Sequence, residues 1–260
     1  MIKIWQKLLL VIFLVCVSFS ISSCGANASP GNQISDSELE QKVLEVIRKN
    51  PQIILESVQK FQQGQQSQAT NLRDQVLSQI KAKPDLIVRD SPVTGSISRK
   101  LVLAEFSDFQ CPFCSKAHET VKQFMQKYSS EVTLTYKHFP LTNIHPLALP
   151  AAKAAWAAGK QDKFWQYHDA LFVGQKNLSE AFLVSTAENL KLDLAKFNQD
   201  RNGKEAEAAI AKDVELAQSL GIDGTPFFVF NGNVFSGAPS LAQMEGVLNK
   251  VKDQVKAQKG

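Results

Sequence analysis

Apolar residues recur with different periods along this chain, and the changes of period predict its elements. Residues 101–106 form an almost unbroken apolar run of strand length, typical of a strand buried on both faces. Apolar positions then recur every three or four residues from about Pro112 to Tyr128, which predicts an amphipathic helix. Residues 131–139 alternate as a strand does. This spacing predicts a βαβ unit with parallel strands and a right-handed crossover.

The rest of the main domain changes from helical to strand-like periodicity. The segment 146–220 is helical in pattern, with apolar stripes over 148–158, 164–172, 179–190 and 204–220. A strand over 227–230, an Asn-Gly turn, a strand near 234–236 and a helix from Ser240 follow, and Asn-Gly between apolar runs predicts a hairpin. A connector precedes the domain, with a short strand near Leu86 to Val88. We therefore predict an α/β fold whose sheet is interrupted by a helical block.

Three short amphipathic helices are predicted before this domain. A capping box, Ser35-x-x-Glu38, opens the first, and Pro51 begins the second. The glutamine-rich segment 62–66, which contains Gly64, is expected to loosen the chain before the third. Short helices cannot bury their apolar stripes alone, so we expect them to pack on the main domain or on another copy of the chain.

The N-terminus has the pattern of a secretory signal. Lys3 and Lys7 precede an apolar stretch that is short for a membrane span. Ile-Ser-Ser-Cys24 resembles a bacterial lipobox, which would place a lipid on Cys24, whereas Ala26-Asn-Ala28 resembles an ordinary signal-peptidase site. We favour the lipobox, with residues 1–23 as the signal and 24–34 as a polar tether. Both alternatives predict export.

Export limits the use of the cysteines. Cys16 would leave with the signal, and Cys24 would be lipidated or removed, so Cys111 and Cys114 remain as the available pair. Without Lys3 and Lys7, 27 basic residues stand against 25 acidic ones, and this balance indicates no nucleic-acid partner.

The sequence Cys111-Pro-Phe-Cys114 lies where the first strand passes into the helix. Pro112 suits the first helical position, so Cys111 is expected at the helix N-terminus. Unsatisfied N–H groups and the helix dipole favour a thiolate there. Cys114, one turn further on, is expected to be more buried and to act as the resolving thiol. A stabilised Cys111 thiolate would make the disulfide a better oxidant.

Two further positions are candidates for the same chemistry. Glu105 is the sole charge in its apolar strand; burial would raise its pKa and let it exchange a proton with Cys114, although a glutamate facing water at a strand end is the alternative. Asp108 is a weaker candidate. Pro226 opens a strand, and if its peptide bond is cis, the backbone of Thr225 could pair with an extended substrate. An ordinary trans proline in a turn is the other interpretation.

Together these features resemble the DsbA-like branch of the thioredoxin superfamily over about residues 86–256. The resemblance is carried by Glu105, Cys111-Pro-Phe-Cys114, Thr225-Pro226, the helical block, His138-Phe-Pro-Leu and Phe164-Trp-x-x-His168-Asp-x-Leu-Phe. It implies a thioredoxin fold over residues 84–260 with a helical insertion at about 146–220, preceded by a helical arm over 35–83.

The resemblance also implies roles for individual residues. Cys111 would exchange with the substrate and Cys114 would resolve the intermediate. Glu105 would lie buried beneath the pair, while Thr225, cis-Pro226 and Phe113 would contact the substrate. The strongest oxidants of the family have histidine where this chain has Phe113, which cannot donate a hydrogen bond to the Cys111 thiolate. The direction of the reaction is therefore left open.

The arm has its own resemblance. The sequence from Val46 to Val58 is similar to the amino-terminal helices of ScsC-type relatives, in which such an arm can join several catalytic domains and support isomerase activity. A spacer, or a strap packed on its own domain, is the alternative. An oligomer formed through residues 35–82 is thus one expectation.

We predict an exported thiol:disulfide oxidoreductase of the cell envelope or periplasm, anchored through lipidated Cys24. It would form disulfides in exported proteins, use no cofactor and be reset by a membrane redox partner. An oligomeric isomerase or reductase, and a non-catalytic module that binds peptide or metal, are the alternatives. No metal is expected, because Cys111, Cys114 and His118 lack a fourth ligand. His138, His145 and His168 are expected to be structural or surface groups.

Overall fold

Residues 35–257 are described by the computed structural model, in which the chain divides into two units at Phe61/Gln62. The predicted signal, the tether and Cys24 lie outside the described residues. Among the helices that are described, none combines the length and apolarity needed to cross a bilayer.

The first unit is formed by helix α1 (Asp36–Lys49) and the beginning of helix α2 (Pro51–Ala82). The predicted cap is present: the hydroxyl of Ser35 accepts a hydrogen bond of 3.3 Å from the backbone N–H of Glu38. No residue of α1 is buried in the described structure. The exposed apolar side chains of this unit are Leu39, Val43, Leu44, Val46, Ile47, Ile53, Ile54, Leu55, Val58 and Phe61.

The prediction of a third helix in the arm was wrong, because α2 continues without a break from Pro51 to Ala82. Glutamine is a good helix former, and the one glycine of the segment, Gly64, costs only about 1 kcal/mol in a helix interior. The glutamine-rich segment therefore does not end the helix. Near its C-terminal end, Ile80 is 3% exposed and belongs to the core of the second unit.

The second unit is built on a five-stranded sheet of order β1-β3-β2-β4-β5. Its strands are β1 (Val93–Gly95), β2 (Leu101–Ser107), β3 (Val132–His138), β4 (Phe227–Phe230) and β5 (Asn233–Ser236). Strands β2 and β3 are parallel and are connected by helix α3 (Pro112–Tyr128), and the other pairs are antiparallel. The predicted βαβ unit and the hairpin are thus confirmed.

The connector differs from the prediction. The segment Pro84–Ile87 is a 3-10 helix rather than a strand, and the edge strand is β1, which pairs antiparallel with β3. Pro84 suits the start of a helical turn. Ile87 and Val88 are each 1% exposed and pack in the core. Their apolar run is therefore explained by burial in the core and not by pairing in a strand.

Five α-helices are described between strands β3 and β4. They are α4 (Ala148–Gly159), α5 (Phe164–Val173), α6 (Glu180–Asn189), α7 (Leu194–Asn202) and α8 (Lys204–Ser219). Helix α7 is missing from the sequence prediction because, of its residues, Phe197 alone is buried and no apolar stripe marks it. The last helix is α9 (Leu241–Ala257).

Both faces of β2 are covered, as predicted for an apolar run. Leu103 packs in a cluster with residues of α3, β4 and α9, whereas Val102, Ala104 and Phe106 pack on the other face with residues of α2 and α8. The helical block has its own core, which includes Cys114. The strand end that leads to the cysteines is therefore held on all sides.

Candidate active site

The two cysteines lie at the N-terminal end of α3. Cys111 has an extended backbone and is the N-cap residue, and Pro112 is the first helical residue, as predicted. The N–H of Cys114 donates a hydrogen bond of 3.1 Å to the carbonyl of Cys111. Both are free thiols in this structure; Cys111 is 4% exposed and Cys114 is fully buried. The predicted difference in burial is present, although it is small.

The chain that enters β4 completes the site. Strand β4 runs antiparallel to β2 with Phe227 opposite Phe106, so Thr225 and Pro226 lie beside the end of β2 that leads to the cysteines. The Thr225–Pro226 peptide bond is cis. The thiol of Cys111 donates a hydrogen bond of 3.4 Å to the carbonyl oxygen of Thr225.

The two thiols have opposite electrostatic environments. A hydrogen bond from the Cys114 thiol is the largest cause that lowers the pKa of Cys111, with smaller contributions from Thr225 and the backbone N–H groups of Cys114 and Phe113; the pKa falls to about 5. Burial, followed by the hydrogen bond and the charge of Cys111, raises the pKa of Cys114 far above that of an ordinary thiol. Cys111 is therefore the thiolate at neutral pH, a form that no longer donates to the Thr225 carbonyl, and Cys114 keeps its proton.

Glu105 lies on β2, between Tyr136 of β3 and Phe228 of β4. It is 2% exposed, so the alternative of a carboxylate facing water is wrong. Burial raises its pKa to about 7, against a smaller opposing effect of the Ser107 hydroxyl. Its Oε1 has no hydrogen-bond partner among residues 35–257. A carboxyl in this state can take up or release a proton near neutral pH.

Tyr136 lies in the same buried region as this carboxyl and the resolving thiol, and it was not among the residues predicted from the sequence. Burial, then the charges of Glu105 and Cys114, raise the pKa of its hydroxyl well above the ordinary value. Within the described chain the hydroxyl has no hydrogen-bond partner. Tyr136 could have been found from the predicted pairing of β2 with β3, because the register of these parallel strands places it directly beside Glu105.

Asp108 holds the turn between β2 and α3. Its carboxylate accepts hydrogen bonds from the N–H groups of Gln110 (2.7 Å) and Leu141 (2.9 Å), and its Oδ2 lies 2.8 Å from Nδ1 of His145. Gln175 donates to the carbonyls of Phe109 (2.8 Å) and Cys111 (3.0 Å). These bonds fix the turn to the loop after β3 and to the helical block, which is a structural role for Asp108.

Known proteins resemble this chain in sequence and in fold. Residues 102–249 match the sequence profile of the DSBA-like thioredoxin domain. The chain belongs to this family. A thioredoxin-like oxidoreductase from Silicibacter pomeroyi is 28% identical, with 64% of this chain and 94% of that chain covered and a TM-score of 0.57. ScsC of Proteus mirabilis is similar in fold, at 23% identity, with 85% and 97% covered and a TM-score of 0.59.

The match with a curated relative covers a smaller part of that protein. The Na+/H+ antiporter NhaA 3 of Salinispora tropica is 38% identical over 168 residues, which are 63% of this chain and 26% of the relative. The chain thus spans about a quarter of the length of the curated relatives it matches first. The family match confirms the predicted resemblance to DsbA-like proteins, and the fold confirms the predicted thioredoxin domain with a helical insertion.

The predicted enzyme class, an oxidoreductase, is confirmed at the level of the family.

The remaining candidate residues of this DsbA-like chain differ in exposure. The side chain of Phe113 points away from the core and is 65% exposed. The histidines His118, His138 and His168 are buried, and His145 contacts Asp108, so none of the four is a freely exposed surface group. His118, His168 and Asp169 form the one group in the described chain that could hold a metal ion.

Proposed function

We propose that this DsbA-like protein is an exported thiol:disulfide oxidoreductase that exchanges disulfides with exported proteins through Cys111. The observation that carries the proposal is the contrast between the two thiols: the pKa of Cys111 is lowered to about 5, whereas that of Cys114 is raised. One thiol is a good nucleophile and leaving group, and the other is protected from substrate.

In the oxidising direction, a substrate thiolate attacks the Cys111 sulfur of a Cys111–Cys114 disulfide. The bond between the two cysteines breaks, and Cys114 leaves with the electron pair. A second substrate thiolate then attacks the substrate sulfur of the mixed disulfide and releases the Cys111 thiolate. The substrate loses two electrons, the protein gains them, and the low pKa of Cys111 favours this release.

Glu105 is proposed to serve as the proton donor and acceptor for Cys114. A Cys114 thiolate in a fully buried position is unfavourable, so it must take a proton as it leaves. With a pKa of about 7, the Glu105 carboxyl holds a proton about half of the time at neutral pH. Tyr136, whose hydroxyl has no hydrogen-bond partner in the described chain, lies in the same buried region.

Thr225, Pro226 and Phe113 are proposed to contact the substrate. An extended segment that approached the Cys111 sulfur would lie beside the backbone of Thr225, which is already within 3.4 Å of that sulfur. The exposed ring of Phe113 would provide an apolar contact for an unfolded chain. We infer broad selectivity, because backbone pairing and one apolar side chain recognise few sequence features.

Trapping of mixed disulfides tests the proposal. Cys114→Ser should accumulate mixed disulfides with reduced, unfolded proteins, because the resolving thiol is gone, whereas the matched variant Cys111→Ser should not. Capture by neither variant would contradict the proposal. Equilibration of the wild type with glutathione buffers measures the reduction potential of the Cys111–Cys114 pair, which shows whether oxidation or reduction of substrates is favoured. A reduction potential near that of thioredoxin would exclude disulfide formation as the main activity.

Export, the lipid on Cys24 and a membrane redox partner are part of the same proposal. The segment around Cys24 has the sequence of a lipobox, and oxidised Cys111–Cys114 must be regenerated after each turnover. Metabolic labelling with a fatty acid should mark the wild type and not Cys24→Ala. If neither form is labelled, Cys24 is not lipidated, and the alternative of a soluble exported protein cleaved after Ala28 would be favoured.

A second candidate function is disulfide isomerisation by an oligomer, which the exposed apolar residues of the first unit favour. Leu39, Val43 and Val46 recur on one side of α1 and are 52%, 49% and 58% exposed. A second copy of the chain is the proposed partner of this surface. Because Ile80 belongs to the core of the second unit, substitution is a cleaner test than removal of residues 35–82.

The oligomer has a direct test by light scattering. Leu39→Glu with Val46→Glu should reduce the mass to that of a monomer, whereas Gln41→Glu on the opposite side of α1 should leave the mass unchanged. The same samples should be assayed for refolding of a scrambled disulfide substrate. A monomeric wild type, or isomerase activity that does not follow the mass, would contradict this function.

A further inference from the structure

A cluster of two histidines and one carboxylate lies at the contact of α3 with α5, and its first member, His118, follows Cys114 by one turn of α3. His118 comes from α3, and His168 and Asp169 come from α5. One ligand atom of each residue lies within 4.8 Å of the other two. In the sequence His118 stands near the two cysteines, but the fold places it with His168 and Asp169.

The separations within the cluster bracket those of a metal site. Oδ1 of Asp169 lies 3.0 Å from Nδ1 of His168 and 3.8 Å from Nε2 of His118. Ligand atoms about 2.0–2.1 Å from a tetrahedral zinc ion are roughly 3.3 Å apart. The side chain of Asp169 is 41% exposed to solvent. Small side-chain movements would therefore bring the three atoms around one ion.

The two histidines are buried in the fold. His118 is 5% exposed and His168 is 4% exposed. The Nε2 of His168 lacks a partner in the described part of the chain, whereas its Nδ1 lies 3.0 Å from Oδ1 of Asp169. A metal ion bound through Nδ1 would displace any proton on that nitrogen.

The cluster borders a cavity of about 290 Å³, which is also lined by Lys122, Trp165 and Met125. The cavity offers a route of entry and room for a water ligand. One group opposes a cation: the ammonium of Lys122 lies 3.4 Å from Oδ2 of Asp169. Its side chain is 49% exposed, so it can move into solvent when an ion binds.

We propose that His118, His168 and Asp169 form a binding site for one divalent transition-metal ion, with zinc as the expected occupant. Two imidazoles and one carboxylate are ligands that zinc accepts, and three protein ligands leave a fourth position for water. The rings of Phe172 and Phe109 support the histidines: Phe172 stacks on His118 with centroids 5.0 Å apart, and Phe109 meets His168 edge-on at 5.7 Å.

The thiols would also bind zinc, so the test uses the oxidised protein without an affinity tag. The Cys111–Cys114 disulfide offers no thiolate, and a metal that binds this form must use other ligands. Calorimetric titration with Zn2+ should give one ion per chain, and Co2+ should give the visible absorption of a four-coordinate site. In an NMR titration, Co2+ should broaden or shift the ring protons of His118 and His168 at lower concentrations than it affects other residues.

Variants locate the ion. Asp169→Asn and His118→Gln should each weaken zinc binding at least about tenfold, since loss of even an outer partner costs about 10–100-fold. Lys122→Gln should tighten it, because the competing ammonium is removed. Asp253→Asn, an exposed carboxylate on α9, is the matched control and should change nothing.

Two results would overturn the proposal. If the oxidised wild-type protein binds no zinc in the calorimetric titration, the site does not exist. Binding that Asp169→Asn and His118→Gln leave unchanged, with Co2+ effects on other residues, would place the ion elsewhere. Circular dichroism of each variant without metal separates loss of a ligand from loss of the fold, and the NMR experiment on the wild type needs no variant.

Discussion

The sulfur of Cys111 lies 3.4 Å from the carbonyl oxygen of Thr225, although the two residues are 114 positions apart in the sequence. The antiparallel pairing of β2 with β4 produces this contact, because it brings the start of β4 beside the helix that carries the cysteines. The contact places a nucleophile and a backbone that a substrate could pair with in one small site.

The first prediction concerns the Cys111 thiolate. Thiolate absorbance in the ultraviolet should titrate with a midpoint near pH 5 in the reduced protein. Cys114→Ala should move this midpoint upward, because the Cys114 thiol is the largest cause of the lowered pKa. Ser115→Ala, which removes only a 3.5 Å bond to the carbonyl of Phe172, should leave it in place. An unchanged midpoint in Cys114→Ala would contradict the assignment.

The second prediction concerns Glu105, whose pKa is raised from 4.5 to about 7 in the folded protein. Between these values the unfolded chain has lost the proton that the folded protein keeps. The contribution of Glu105 to stability is therefore complete below pH 4.5 and is lost as the pH rises through about 7. At about 1.4 kcal/mol per pH unit, the loss is about 3 kcal/mol.

Comparison with Glu105→Gln isolates this effect from the thiols. Urea unfolding of both reduced proteins from pH 4 to pH 8 should show the wild type losing about 3 kcal/mol relative to the variant. The Cys111 thiolate acts in the opposite direction above pH 5, but it does so in both proteins. A constant difference over this range would show that Glu105 has an ordinary pKa. Resolution of mixed disulfides should also be slower in the variant.

The third prediction concerns Asp108. Asp108→Ala should lower the free energy of unfolding by about 3 kcal/mol, since three half-buried partners would lose their hydrogen bonds to a buried carboxylate. Denaturant unfolding measures the change. Asp253→Ala removes an exposed carboxylate 4.0 Å from Lys256 and should cost almost nothing. Equal effects of the two substitutions would mean that the carboxylate does not hold the turn.

The fourth prediction concerns the ion pair between Lys137 and Asp213, whose side chains are 0% and 7% exposed. The ammonium of Lys137 donates to Asp213 (3.0 Å), to the hydroxyl of Ser91 (2.6 Å) and to the carbonyl of Val88 (3.0 Å). Asp213→Ala should cost about 3–5 kcal/mol, because it leaves a buried charge without its partner.

A double-mutant cycle checks this explanation. Asp213→Leu combined with Lys137→Met should be more stable than Asp213→Leu alone, because the uncompensated charge is gone. The exposed pair Lys196–Asp200, at 2.6 Å, is the control, and its loss should cost less than about 1 kcal/mol. A double variant no more stable than the single one would show that packing, rather than charge, is lost.

Local pattern predicted the elements that carry the cysteines. Helix α3 has the predicted bounds, and β2 and β3 differ from the prediction by one residue at the ends. The Asn-Gly hairpin is present, with positive φ at Asn231 (46°) and Gly232 (83°). These features follow from interactions between residues near one another in the chain.

The errors occurred where local pattern is weak or ambiguous. The glutamine-rich segment of α2 lacks apolar periodicity, yet it has the propensity to continue a helix. Helix α7 buries a single residue, so its stripe is absent. The apolar run at Ile87 and Val88 fits a strand or a buried turn equally well, and tertiary packing decided between them.

The sequence by itself determined the chemistry of this protein: two thiols one helical turn apart, a carboxyl in an apolar strand and a proline at a strand start. The tertiary structure alone decided the surroundings of these chemical groups. Burial of Glu105, the carbonyl of Thr225 beside Cys111 and the meeting of His118 with Asp169 depend on contacts between segments far apart in the chain. Desolvation and hydrogen bonding set pKa values, and they exist only after those segments have packed.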